Sequence, residues 1–286
     1  MRIDAHHHLW RYDPGTFGWI APNSVIARDF LEDDLAVARR AAGIDACIAV
    51  QARQTPEETR FLLDCAAAAP WIVGVVGWID LRAADVTAQL ARDAHPTLVG
   101  YRHVVQDEAD PRFLIGDAFV RGVAAVAARG LTYDLLVGHD HLADIPALLA
   151  QVDGGRFVLD HAAKPAIASG AWQPWADRIA AVATFSNIWC KVSGLVTEAD
   201  HTAWTADQIE PYLDHVLARF GPERLVWGSD WPVCLLATKY GDVVRLVEDW
   251  VAKRCPQHRD AIFGGNALRA YAMNDISLRA DPKASA

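Results

Sequence analysis

The sequence predicts a single α/β domain built as a closed (β/α)8 barrel, in which eight parallel strands alternate with helices. Three observations lead there. Eight short apolar runs recur along the chain, amphipathic segments lie between them, and ionisable residues gather at one end of the runs rather than in their bodies. The runs are RIDAH, DACIAVQA, IVGVVGWI, LVGYRHV, LTYDLLV, RFVLDHA, IWCKVSG and LVWGSDW. Several are too continuously apolar for a half-exposed strand, as expected of strands buried on both faces of a parallel sheet.

Taken in order, the first run ends in His6 and His8 and the second in Gln51 and Arg53. Thr55-Pro56-Glu57-Glu58 then reads as an N-cap, a proline and first-turn acids. They open the helical pattern EETRFLLDCAAAA. The third run is apolar, and the fourth ends in Arg102 and His103. DAFVRGVAAVAARG follows with helical spacing, and Gly130 stands where a left-handed C-terminal cap belongs. The fifth run carries Asp134 and leads to His139 and His141, and all three read as caps of a loop or helix. The sixth run ends in Asp160 and His161, the seventh carries Lys191 and Ser193, and the eighth ends in Asp230 before the helical DVVRLVEDWVAKR. No fixed-period repeat or linker-like break interrupts the pattern. The barrel is expected over residues 1–273, with a fraying tail over 274–286. Strand–helix alternation alone admits an open doubly wound sheet as well as a barrel; the count of eight favours the barrel.

The bulk properties narrow the function. With 52% hydrophobic against 22% charged residues, the 286-residue chain has material for a large core. A net charge of −9 argues against nucleic acid or an anionic membrane as partner. No apolar run approaches the roughly 18 residues of a membrane span. The His-rich N-terminus lacks the apolar region of a signal peptide. The five cysteines include no C-x-x-C pair, which argues against a disulfide framework or a thiolate zinc site and suits a reducing cytoplasm. Most of the eleven tryptophans are expected to fill core, although one at a loop can stack on a sugar.

Three consecutive histidines, His6 to His8, are too few for an affinity tag and are framed by Ile3 and Leu9. In a strand alternate residues share a face, so His6 and His8 converge while His7 points away. In a closed barrel the eighth strand returns beside the first and brings Asp230 to this pair. With His161 from the sixth run, the set suits one zinc or manganese ion. It equally suits a metal-free site in which Asp230 takes a proton from water. The fourth run ends in neither lysine nor glutamate, so a second, bridged metal is not expected.

These residues also carry a family resemblance. IDAHHHLW, GYRH, DHAAKP, WCKVSGL, WGSDWPV and FGGNALRAY, in this order from residue 2 to about 272, resemble the amidohydrolase superfamily. The match is closest to its amidohydrolase-2 branch, in the subgroup of sugar-lactone hydrolases acting in L-fucose or L-rhamnose oxidation. The resemblance implies a (β/α)8 barrel that opens aldonolactones to aldonic acids, with metal optional. His6 and His8 match the family's H-x-H, His161 its mid-chain histidine, and Asp230 its strand-eight aspartate.

Lactone opening needs an activated water, stabilisation of an oxyanion and a proton for the leaving alkoxide. Asp230 is the expected base, with His6, His8 and His161 polarising the carbonyl directly or through one metal. Arg102 or His103, whose neighbouring side chains face opposite ways, is a candidate for a substrate oxygen. Gln51 and Lys191 are candidates for sugar hydroxyls and Trp231 for a cover. A structural ion pair is the competing reading for Lys191, and packing beside Pro232 for Trp231. Two rival functions remain at this stage: a metal-dependent decarboxylase of a hydroxylated aromatic acid, and a non-catalytic barrel binding metal or sugar.

Overall fold

The computed structural model describes residues 1–273; the expected tail, 274–286, lies outside the described residues. The strands are β1 (Ile3–His7), β2 (Ala46–Val50), β3 (Ile72–Gly77), β4 (Leu98–Val104), β5 (Thr132–Leu136), β6 (Arg156–Leu159), β7 (Ile188–Val192) and β8 (Leu225–Trp227). Seven of the eight runs read from the sequence contain their strand whole, and the first, RIDAH, stops one residue short of the end of β1. The helices are α1 (Glu32–Ala41), α2 (Pro56–Ala68), α3 (Val86–Arg92), α4 (Asp117–Ala128), α5 (Ile145–Leu149), α6 (Trp175–Val182), α7 (Ala206–Phe220), α8 (Tyr240–Arg254) and α9 (Asn266–Ala270). Thr55 and Pro56 begin α2 as expected, and Gly130 adopts φ +72° just beyond α4, a conformation that costs a residue without Cβ little.

Every strand pairs in parallel with its sequence neighbour, in the order β1 to β8. The ring is closed beyond the end of β8, where Asp230 N–H donates to His6 C=O (2.8 Å) and His8 N–H to Trp231 C=O (2.6 Å). An eight-stranded ring has an interior just wide enough for side chains to fill. Here the interior has two layers of opposite character. The lower layer is apolar, with Ile3, Ala5, Ala46, Ile48, Val50, Val76, Val99, Val158 and Val226 in one cluster. Ala267, Ala270 and Tyr271, from α9 and the residue after it, join that cluster, and Thr132 Oγ1 donates to Ala270 C=O (2.8 Å), tying this plug to the barrel. The upper layer is ionic and forms the floor of the site.

No helix among the described residues is long and apolar enough to cross a membrane. All five cysteines are buried and free.

Candidate active site

The site begins with an irregularity in β1. Asp4 pairs with Cys47 and His7 with Ala49, so β1 spends three residues where β2 spends two. That extra residue is a β-bulge, which re-aims side chains. Strict alternation from the inward Ile3 and Ala5 would carry His7 into the barrel. The bulge shifts the phase, so His6 and His8 face inward and His7 turns toward Trp71 in the outer layer. Burial there drops the His7 imidazole to about 3. Asp4 braces the bulge from outside: its carboxylate accepts from His6 N–H (3.1 Å), Ser229 N–H (2.8 Å) and the Tyr240 hydroxyl (3.1 Å). One buried carboxylate thereby ties the β1 bulge to the turn that carries Asp230.

His161 and Asp230 arrive on strained backbone. His161, Ala162, Ala163 and Lys164 form a left-handed turn with φ of 52°, 48°, 56° and 52°, and Asp230 has φ 58°. For residues with a Cβ this conformation costs roughly 1–2 kcal/mol each. Strain of this kind persists only where the surroundings over-determine it, and it clusters at functional sites. Gly194, itself at φ +65°, makes room for both groups: a Cβ there would lie 2.5 Å from His161 Nδ1 and 3.1 Å from Asp230 Oδ2.

Three imidazole Nε2 atoms converge on Asp230 Oδ1, at 3.8 Å from His6, 3.5 Å from His8 and 3.9 Å from His161. His8 Nδ1 lies 2.8 Å from the Val50 carbonyl, so the proton sits on Nδ1 and the Nε2 lone pair faces the cluster. His161 Nδ1 is held by Ser193 Oγ at 2.9 Å. Burial lowers His161 to about 4 and His6 well below the histidine range, with Lys191 adding to the effect on His6. Burial alone would raise Asp230, but His161, His8 and His6 outweigh it and hold the carboxyl below its ordinary range. At neutral pH the floor therefore presents an ionised Asp230 beside the neutral imidazoles of His6 and His161.

Below the histidines lies a buried ion network. Asp160 accepts from Arg102 Nη1 (3.0 Å) and stands 3.0 Å from Lys191 Nζ, with His6 Nδ1 at 3.5 Å. Lys191 also donates to Asp134 (2.6 Å) and lies 3.1 Å from His6 Nδ1. Tyr271, from the plug below, donates to the same Asp134 oxygen at 2.6 Å. Burial would raise Asp160, yet Lys191, His6 and Arg102 hold it well below the carboxylate range; burial pushes Asp134 up to about 6 despite Lys191.

The structure brings His6, His8, His161, Asp230 and Arg102 together, but it distributes the other expected residues differently. Arg102 faces inward, with Nη1 3.3 Å from His6 Nε2, while the next residue, His103, turns outward between Trp78 and Glu108 (3.2 and 2.6 Å). Gln51 is absent from the cavity wall: its side-chain oxygen accepts from Arg102 Nε (3.0 Å) and Nη2 (2.7 Å), so it orients the guanidinium. Lys191 is fully buried and supports His6 from beneath. Trp231 is turned away from the cavity by the left-handed backbone at Asp230 and packs edge-on against Phe30, 5.1 Å between centroids. The aromatic at the mouth is instead Trp19, from the β1–α1 loop. Asp134, read as a loop cap, is an interior member of the ion network.

Above this floor opens a cavity of about 490 Å3, lined by His8, His161, Asp230, Arg102, Trp19 and Lys164, among others. The size suits a monosaccharide-sized molecule. Sequence reasoning missed Trp19, Lys164, Asp160 and Tyr271 as parts of the site. Asp160 had a visible signal in its position beside His161 at a strand end; Tyr271 had none beyond its place in FGGNALRAY, because its contact spans the whole barrel.

The donor set fits one divalent cation. Ligand atoms of His6, His161 and Asp230 lie within 4.8 Å of one another, and the His8 Nε2 lone pair lies 3.3 Å from His6 Nε2. Arg102 competes for the His6 lone pair, because a guanidinium has only donors to offer.

Comparison with known proteins agrees with this geometry. The model of the Amidohydrolase family matches residues 3–273. An L-fucono-1,5-lactonase of Burkholderia multivorans is 45% identical over 285 residues, 96% of each chain. A second L-fucono-1,5-lactonase, of Burkholderia ambifaria, is 37% identical over 95% of each chain. A crystal structure of a B. multivorans amidohydrolase with bound zinc superposes with a TM-score of 0.92 at 44% identity, covering 95% of this chain and 99% of that one.

Proposed function

The chain belongs to the amidohydrolase family and hydrolyses sugar lactones, and from that premise we propose that its substrate is an aldono-1,5-lactone of the L-fucono type, opened with Asp230 as general base. The observation that carries this reading is the convergence of three imidazoles on the ionised Asp230 at the floor of a sugar-sized cavity.

Asp230 takes a proton from a water on the cavity side, and the water oxygen attacks the lactone carbonyl. Charge then develops on the acyl oxygen, and donors fixed in place before the reaction stabilise it at no reorganisation cost. Arg102 is such a donor: Gln51 and Asp160 hold its guanidinium rigidly beneath the histidines. As the tetrahedral species collapses, the bond from the acyl carbon to the ring oxygen breaks and Asp230 returns its proton to that oxygen. His6, His8 and His161 fix the carboxylate's position and keep it ionised. A zinc or manganese ion held by His6, His8, His161 and Asp230 would supply Lewis-acid polarisation of the carbonyl. Lys191 and Gln51 act from beneath the floor by holding His6 and Arg102.

The test is acid release from a panel of L-fucono-, L-rhamnono-, L-galactono- and D-arabinonolactones, followed with a pH indicator with and without chelator. L-Fucono-1,5-lactone is expected to be hydrolysed fastest. Asp230→Asn is expected to lower kcat about 10^3-fold, within the usual range for losing a general base. Silence across the panel overturns the substrate class, and an Asp230→Asn variant that still turns over overturns the role of Asp230.

A further inference from the structure

Among the described residues three cations line the cavity, Arg53, Arg102 and Lys164, and they differ in how firmly they are engaged. Arg102 is buried and bonded to Gln51 and Asp160. Arg53 Nε donates to Glu58 at 2.7 Å, and that carboxylate also accepts the Ala52 and Arg53 N–H groups, so the pair is locked to its own loop. Among the described residues Lys164 has one carboxylate partner, Glu198 at 3.2 Å, and both side chains are partly open to solvent. Of the three, it is the cation able to change partner.

The backbone shows why Lys164 stands there. The left-handed turn 161–164 is closed by Lys164 N–H to His161 C=O (2.8 Å) and pinned by Trp175 Nε1–H to Ala162 C=O (2.8 Å). Within four residues it delivers His161 to the floor and Lys164 to the wall of one cavity.

The reaction creates a need for such a group. Hydrolysis joins a water oxygen to the acyl carbon, breaks the bond to the ring oxygen and leaves that oxygen protonated as a hydroxyl. The new acid then loses its proton to solvent, so a carboxylate stands in the same cavity as the ionised Asp230. Like charges this close repel unless a cation intervenes.

We propose that Lys164 Nζ exchanges Glu198 for the acyl oxygen of the substrate, taking up charge as it develops and holding the carboxylate of the aldonate product until release. The proposal rests on the lactonase reading above.

The experiment measures binding of L-fuconate, by titration calorimetry and as product inhibition, in the wild type, Lys164→Met and Glu198→Gln, alongside kcat/KM and Tm. Lys164→Met is expected to weaken L-fuconate and lower kcat/KM by about tenfold or more, the worth of one hydrogen bond to a charged group. Glu198→Gln is expected to act in the opposite sense and tighten L-fuconate a fewfold, because the competing carboxylate is gone. Lys164→Arg should recover part of the loss. Changes of the same sign in both variants, tracking Tm, would make the pair structural and overturn the proposal; unchanged binding in Lys164→Met overturns it as well. If the wild type turns over no lactone yet Lys164→Met still loses carboxylate binding, the substrate reading falls and the role of Lys164 as anion partner stands.

Discussion

The two layers inside the barrel are equally dry and are held together by different physics. Ile48 and Val226 in the lower layer, and Lys191 and Asp160 in the upper one, are all fully buried. The lower layer gains from removing apolar surface from water, roughly 25 cal/mol per Å2, and tolerates a neighbour of similar shape. The upper layer must offset the desolvation of several charges, and it holds only while each has its partner. Packing alone could fill the upper layer at lower cost. The ion network there has another effect: it fixes Arg102 and His6 in place below the cavity, where a hydrophobic filling would fix nothing polar.

The sharpest way to break this comparison is to remove the central cation. Lys191→Met keeps much of the side-chain volume but leaves Asp134 and Asp160 without their shared partner. Breaking a buried pair in this way costs about 3–5 kcal/mol, and His6 loses its support from beneath. Urea unfolding should show the stability loss and lactone hydrolysis should fall to background. A variant of wild-type stability would mean that Asp134 simply protonates and that the network contributes little to the fold.

The matching change in the lower layer is Ile48→Ala. It opens a cavity at a cost of roughly 2–5 kcal/mol, while kcat/KM at a temperature where the variant is folded should stay within about twofold of wild type, since the ion network of the upper layer, not the lower one, fixes the site. A large kinetic loss with little change in stability would show that the two layers are not separable.

How much of this arrangement could be read beforehand divides along the same line. The lower layer and the strand count were legible because apolar runs with short period depend on local sequence. His6, His8, His161 and Asp230 were legible because barrel sites lie at strand ends. Alternation alone puts His6 and His8 on one face, but counted from the inward Ile3 that face is the outer one; the β1 bulge, which no residue type announces, turns both inward. The facing of His103, the turning away of Trp231 and the interior place of Asp134 were not legible. Each depends on a backbone phase or on a partner more than twenty residues distant. Lys164 stayed hidden for a related reason: four non-glycine residues in left-handed conformation run against every local preference.

A smaller effect is expected at Gly194, where the two left-handed segments meet. Gly194→Ala puts a methyl group against His161 Nδ1 and Asp230 Oδ2 on a backbone at φ +65°. Displacing either group by about 1 Å should cost about 100-fold in kcat/KM, with only about 1 kcal/mol of stability lost for the conformation. Chemical denaturation and steady-state kinetics on one preparation separate the two. Equal losses in both would mean that the glycine serves the fold rather than the site.

The mildest perturbation is pH, and it asks whether the histidines act as acids or as scaffolding. Burial lowers His161 to about 4, so it stays neutral as pH falls until that value is reached. The Asp230 carboxyl is held below its ordinary range, so the base form is present above that range and is lost only in more acidic solution. Both signs point the same way. Neither group changes charge between pH 5.5 and 8, and kcat/KM for the lactone, corrected for spontaneous opening, should vary less than about threefold across that window. A free imidazole would instead place a limb near 6.5. A limb at 6.5 in the wild type would put a protonated histidine in the mechanism, as the acid that delivers the leaving hydroxyl's proton. A limb near 7 that moves with chelator would make the nucleophilic water the titrating group. A flat profile with an acid limb at or below 4 is the outcome that leaves Asp230 as base, with His6 and His161 as neutral parts of its fixed frame.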